Sequence, residues 1–95
     1  MNVTVLRQYA VQLEEVAKLE LAELGRALQQ TIDHMALLEA RAGADAERYL
    51  TQVTQGGTVD QVASHLDAME QAVAARRRLE QTVVIQQTQM EQAAQ

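Results

Sequence analysis

The stretch Leu50-Thr51-Gln52-Val53-Thr54-Gln55-Gly56-Gly57-Thr58-Val59-Asp60-Gln61 holds the one tandem glycine of the chain, and no proline occurs on either side of it. Without proline, nothing else compels a helix to break. Thr58 followed three residues later by Gln61 has the form of a capping box, in which the hydroxyl accepts from a first-turn N–H and the amide reaches back. Asp60 adds negative charge at the positive end of the helix dipole. Gly56 or Gly57 can take the left-handed conformation that closes a preceding helix. The expectation is a helix over about 4–54, a turn at 55–57 and a second helix over about 58–93. That is an all-α, antiparallel two-helix coiled-coil hairpin forming a single domain over residues 1–95.

Moving outward from the turn, the apolar spacing is that of helices winding about each other. Leu21, Leu28, Met35, Ala42 and Tyr49 recur every seven residues, and Leu24, Leu38 and Val53 fill an alternate row. In the second arm Val62, Met69, Val83 and Met90 recur at seven with Arg76 interrupting, and Val59, Leu66 and Val73 read as the companion row. Met35, Met69, Met90 and Leu38 are read as part of this core. Upstream of Leu21, the residues Leu6, Tyr9, Leu13 and Val16 lie on a shifted face, as a stutter produces. Folding at the glycines sets residue i against about 113 − i, given equal rise on both arms. Tyr49 then faces Leu66, Leu28 faces Val83, Leu24 faces Met90, and Gln95 reaches only to the level of Lys18. The first helix would run about 75 Å and the second about 55 Å. The first four turns are left without a partner, and their apolar side chains call for another surface.

Composition excludes several classes. Ala, Gln, Leu and Glu, all good helix formers, make up over half of the 95 residues, and there are only two tyrosines and no other aromatic side chain. A β-sandwich needs β-branched and aromatic faces with frequent turns. Zero cysteine removes disulfides and thiolate zinc sites. The formal charge is −5, which argues against a nucleic-acid surface. No run approaches the length of a membrane span, and the first ten residues lack the apolar core of a secretory signal, so a cytoplasmic location is expected.

Catalysis needs convergent polar groups in a concave site, and a two-helix hairpin offers none, so neither catalytic residues nor a small-molecule site is expected. His34 and His65 have no Glu, Asp or His three or four residues away, which removes a helical metal site; no cofactor is implied. Glu14, Glu15, Glu20 and Glu23 read as a solvated face, with Lys18 an i,i+4 partner to Glu14. Arg76, Arg77 and Arg78 span too much of the helix circumference to form one patch. They are candidates for polar contact with a partner. Arg76 falls on the seam, where Glu39 of the first helix stands near its level and where a polar residue would set register. Gly25 and Gly43 sit inside the first helix, and close packing and a bend are both open readings for Gly43.

Three segments together carry a family resemblance: Leu24-Gly25-Arg26-Ala27-Leu28-Gln29-Gln30, Ala46-Glu47-Arg48-Tyr49-Leu50 before a Gly-containing turn, and Leu66-Asp67-Ala68-Met69-Glu70-Gln71-Ala72-Val73 after it. The arrangement, over about residues 5–93, is similar to the FliJ family of flagellar export proteins and its stalk relatives in type III secretion. That resemblance implies a non-enzymatic coiled-coil stalk at the membrane-embedded export apparatus. Its terminal end would engage the hexameric export ATPase, a stripe would contact the export gate membrane protein, and export chaperones are further partners. Carried onto this sequence, Tyr49, Met69 and Ala72 match the gate-facing stripe. Leu6, Tyr9, Leu13 and Val16 correspond to the segment beside the ATPase. Ala42, Asp45, His65 and Arg76 depart from the residues expected on that stripe. Family members usually continue the second helix further, and are commonly richer in basic charge. Two other readings stand beside this one. A self-associating hairpin, dimerising into a four-helix bundle as scaffold or chaperone, suits so thin a core. A secreted hairpin of the WXG100 type shares the length but not the Trp-x-Gly turn.

Overall fold

A computed structural model describes residues 2–95; Met1, included in the expected hairpin, lies outside the described residues. Two helices account for nearly all of it: α1, Val3–Thr54, and α2, Val59–Ala94. They pack against each other as an antiparallel pair in a rod whose Cα extents are 81 × 16 × 14 Å.

Each helix end is closed by local chemistry. Asn2 caps α1, its Oδ1 accepting from the Thr4 N–H at 3.1 Å. At the other end Gly56 sits at φ 93° and its N–H donates to the Val53 carbonyl at 3.2 Å. That left-handed backbone strains any residue with a Cβ, which is why the turn carries glycine there. The capping box of α2 is complete: the Gln61 N–H donates to Thr58 Oγ1 at 3.2 Å and the Thr58 N–H donates to Gln61 Oε1 at 2.9 Å. Asp60 stands in the first turn.

The register follows from contacts spread along the rod. The Tyr49 and His65 rings stack with centroids 3.8 Å apart and planes 4° from parallel. Arg76 Nη2 meets Glu39 Oε1 at 3.1 Å. Met90 Cε lies 3.8 Å from where a Cβ on Gly25 would stand. Opposed residue numbers therefore total 114 or 115. This moves Val83 off Leu28 to the level of Ile32 and Met35, with which it lines a shallow notch.

The seam of α2 differs from its expected composition. Half-buried positions are Val62, His65, Ala75, Leu79, Thr82, Val83, Gln86 and Met90. The heptad row Val62, Met69, Arg76, Val83, Met90 is joined by His65, Ala72, Leu79 and Gln86, three residues later in each repeat. The expected companions Val59, Leu66 and Val73 are instead 84%, 57% and 50% exposed, and Tyr49 packs on His65, not Leu66. The reason is geometric. A residue one position beyond the seam is rotated by about 100° around the helix, so apolar character at Leu66 cannot put it where His65 already stands. Met69 is also half exposed. In α1 the half-buried positions are Leu21, Leu24, Gly25, Ala27, Leu28, Thr31, Met35, Leu38 and Tyr49, and Val53 is exposed.

Packing is sparse throughout. None of the described residues is fully buried, and the accessible surface is 7746 Å². A compact monomer of this mass would expose about 5,400 Å². Gly43 has nothing within 4 Å of an added Cβ, so close packing does not explain that glycine.

Candidate partner-binding surfaces

The first surface is the free arm of α1. Every residue from Val3 to Glu20 is exposed, and the first half-buried side chain is Leu21. Leu6, Tyr9, Leu13 and Val16 are 49%, 61%, 52% and 52% exposed. Their spacing of three and four residues puts them on one face of the helix. That face is not an extension of the seam. Counted back from Leu21 at the same heptad spacing, the seam would pass through Ala17, Glu14, Ala10, Arg7 and Val3. Leu6, Tyr9, Leu13 and Val16 each precede one of those positions by one residue, a rotation of about 100°. The polar side of the arm carries Glu14 paired with Lys18 at 3.3 Å.

The second surface lies midway along the rod. Ala42 and Asp45 on α1 and Met69 and Ala72 on α2 occupy seam positions but are all exposed. Two alanines facing each other do not fill the space between helix axes some 8–10 Å apart. The result is a groove of about 540 Å³, with Leu38, Met35 and Leu79 at one end and Ala42, Ala72 and Val73 along it. Of the gate-facing positions implied by the resemblance, Tyr49 is half-buried against His65, Ala72 lines this groove, and Met69 is exposed at the level of Asp45.

Arg76 sits at the edge of that groove. Its Nη2 meets Glu39 on the other helix at 3.1 Å and its Nε meets Glu80 at 3.1 Å. One guanidinium thus bridges two carboxylates, its forked donors serving both. Arg77 and Arg78 are exposed; Arg78 uses its backbone carbonyl to accept from Thr82 Oγ1 at 3.0 Å. The three arginines do not form one patch. A second local pair joins Arg48 to Asp45.

The two flanks of the rod differ in chemistry. One is marked by a notch between Ile32, Ala36 and Glu39 of α1 and Glu80 and Val84 of α2. The other is marked by a notch among Asp45, Arg48, Gln61, Ser64 and Ala68. Residues one position after the second seam row in each repeat belong to the first flank: Ile32, Glu39, Ala46 and Val53, then Val59, Leu66, Val73 and Glu80. Residues one position before the first seam row belong to the second: Ala27, His34, Arg41 and Arg48, then Gln61, Ala68, Ala75 and Thr82. The first flank displays five large apolar side chains and the second none. The core placement expected for Val53, Val59, Leu66 and Val73 is overturned, since all four are exposed. Each stands one residue after a second-row seam position, Gln52, Thr58, His65 and Ala72 in turn, and only the partner helix decides which of those neighbouring rows turns inward.

Among the described residues there is no group of three or more His, Cys, Asp or Glu that could hold a metal ion, and no helix is long and apolar enough to cross a membrane. Comparison with protein-family models, curated proteins and solved structures finds no match.

Proposed function

We propose that this chain is a non-enzymatic coiled-coil adaptor, with the paired part of the rod as a stiff spacer and the free arm of α1 as the docking element. The observation that carries this reading is the position of Leu6, Tyr9, Leu13 and Val16, exposed on a face about 100° away from the hairpin seam. A second helix running further along the same seam would meet Ala17, Glu14, Ala10 and Arg7, not these four. An apolar helix face of this kind suits a groove or helix on another molecule, read by anchors at i, i+3 and i+7.

In its finer form, the proposal follows the resemblance to the FliJ family: the arm engages a hexameric export ATPase and the middle of the rod reaches the export gate. The supporting features are the rod shape, the overhanging arm and the placement of Tyr49 before the turn. The test is co-elution and calorimetric titration of the full chain with a purified export ATPase hexamer. The expected result is binding that weakens at least tenfold in a Leu6→Ala, Tyr9→Ala, Leu13→Ala, Val16→Ala variant whose melting temperature is unchanged. Binding that ignores these four substitutions removes the arm as docking element, and no binding at all removes the export reading.

A further inference from the structure

The flank that carries Ile32, Val53, Val59, Leu66 and Val73 is separate from the arm, and it asks for its own occupant. We infer that this flank is the interface with a second copy of the chain, closing the hairpin into a four-helix bundle.

Three observations lead there. The first is area. The exposed surface of 7746 Å² exceeds that of a compact monomer by about 2,300 Å², and no described residue is fully buried. A chain with so little interior stands to gain most of its missing core from another thin rod. From Ile32 to Val53 the flank runs about 32 Å, and two helices side by side are about 20 Å across. Each copy offers about 640 Å², so a pair buries about 1,300 Å², within the range of stable, specific interfaces.

The second observation is charge. The whole chain stands at −5, which sets two copies to repel each other. On this flank the repulsion is reduced locally, because Arg76 draws Glu39 and Glu80 onto one guanidinium at 3.1 Å each and leaves a single net negative charge. With Glu70 and Arg77 on the adjoining row, the face holds three carboxylates against two guanidiniums. Most of the excess negative charge therefore lies elsewhere.

The third is asymmetry. The opposite flank presents His34, Arg41, Arg48 and Gln61 and no large apolar residue in its own row, with Leu37 and Ile85 on the row beyond. A bundle of two hairpins needs one apolar side and one wet side, and this rod has both. The flank lies between Ile32 and the turn, whereas the arm ends at Glu20, so both surfaces can be occupied at once. The inference does not depend on what the arm binds.

The experiment uses the full chain, which has no cysteine among its 95 residues. Val73 lies near the middle of the flank, so it shares a level with its own copy in either orientation, and in the antiparallel one, which stacks α2 on α2, the two Val73→Cys side chains meet. Mild oxidation is expected to link Val73→Cys into a covalent dimer, while Arg48→Cys on the wet flank stays monomeric. Sedimentation velocity from 1 to 200 µM is expected to show twice the 10.5 kDa chain mass, with the midpoint moved at least tenfold upward by Leu66→Glu. A chain that stays monomeric over that range overturns the inference. So does equal cross-linking at both cysteines, which does not require Leu66→Glu to fold.

Discussion

Gln86 is the position where the seam should be easiest to improve. It occupies a half-buried heptad position between Val83 and Met90, and its Oε1 is buried without a hydrogen-bond partner. The register sets it at the level of Leu28. An unpaired buried carbonyl costs about 1–3 kcal/mol, and half-burying a leucine side chain contributes about 1 kcal/mol. Leu and Gln have nearly equal helix propensity, so the substitution leaves the backbone preference alone. Gln86→Leu is therefore expected to stabilise the rod by about 2 kcal/mol, after discounting for the partial exposure of the site. For a domain of this size that corresponds to a rise of about 8–16 °C in melting temperature.

The measurement is thermal unfolding followed by circular dichroism at 222 nm, at one fixed protein concentration, with urea titration as a second readout. Gln89→Leu is the control, since Gln89 is exposed and off the seam; it is expected to move the midpoint by no more than about 4 °C, as surface substitutions do. A Gln86→Leu variant no more stable than the wild type would refute the reasoning. It would mean that water already satisfies Oε1 and that the seam is wet at this level, so the apolar gain is never realised.

Three further outcomes follow from the same geometry. Gly43→Ala is expected to stabilise by about 1 kcal/mol, because the added Cβ meets open space and glycine loses more backbone entropy in a helix; a lower urea midpoint would instead identify Gly43 as a required bend. Thr58→Ala removes the hydroxyl that accepts from the Gln61 N–H, leaving the backbone N–H that donates to Gln61 Oε1, and is expected to cost about 1 kcal/mol; an unchanged midpoint would show that the turn is held without that hydroxyl. In hydrogen exchange at low protein concentration, amides of residues 5–19 are expected to exchange within seconds, since a single helix of that length is marginal in water. Amides of residues 22–38 are expected to be slower by orders of magnitude. Equal protection in both segments would show that the arm already has a partner.

The hairpin could be read from the chain because its determinants are local. Gly56 and the Thr58–Gln61 pair act within six residues of each other, and the seven-residue spacing of Leu21, Leu28, Met35 and Tyr49 needs no knowledge of what lies opposite. The Glu39–Arg76 pairing was accessible for a similar reason, since equal rise on both helices places the two at one level. The second seam row of α2 was not accessible. It runs through His65, Ala72 and Gln86, with Leu79 its one large apolar residue, while Leu66 and Val73 beside it carry the hydrophobicity a pattern reader follows. Which of two adjacent rows faces inward is settled by the partner helix, through Tyr49 stacking on His65, and a periodicity taken from one helix contains no such information. The arm, in contrast, announced itself through a phase shift within a single helix.

The role of Arg76 changes once the turn is taken into account. A polar residue in a coiled-coil seam often selects register between separate chains. Here α1 and α2 are joined through Gln55–Thr58, and a slip of one heptad would have to add or remove several residues from that connection. The covalent turn already fixes the register, so Arg76 is not needed to set it. What the guanidinium does is hold Glu39 and Glu80 against the rod, one from each helix, on the flank where Val73 and Ile32 are exposed. Half-exposed ion pairs of this sort contribute only a few tenths of a kcal/mol to the hairpin itself. Their larger effect is on the surface: without Arg76, two unpaired carboxylates would stand in the middle of the apolar flank. A seam arginine of little use to the folded monomer is well placed to govern what that monomer can approach.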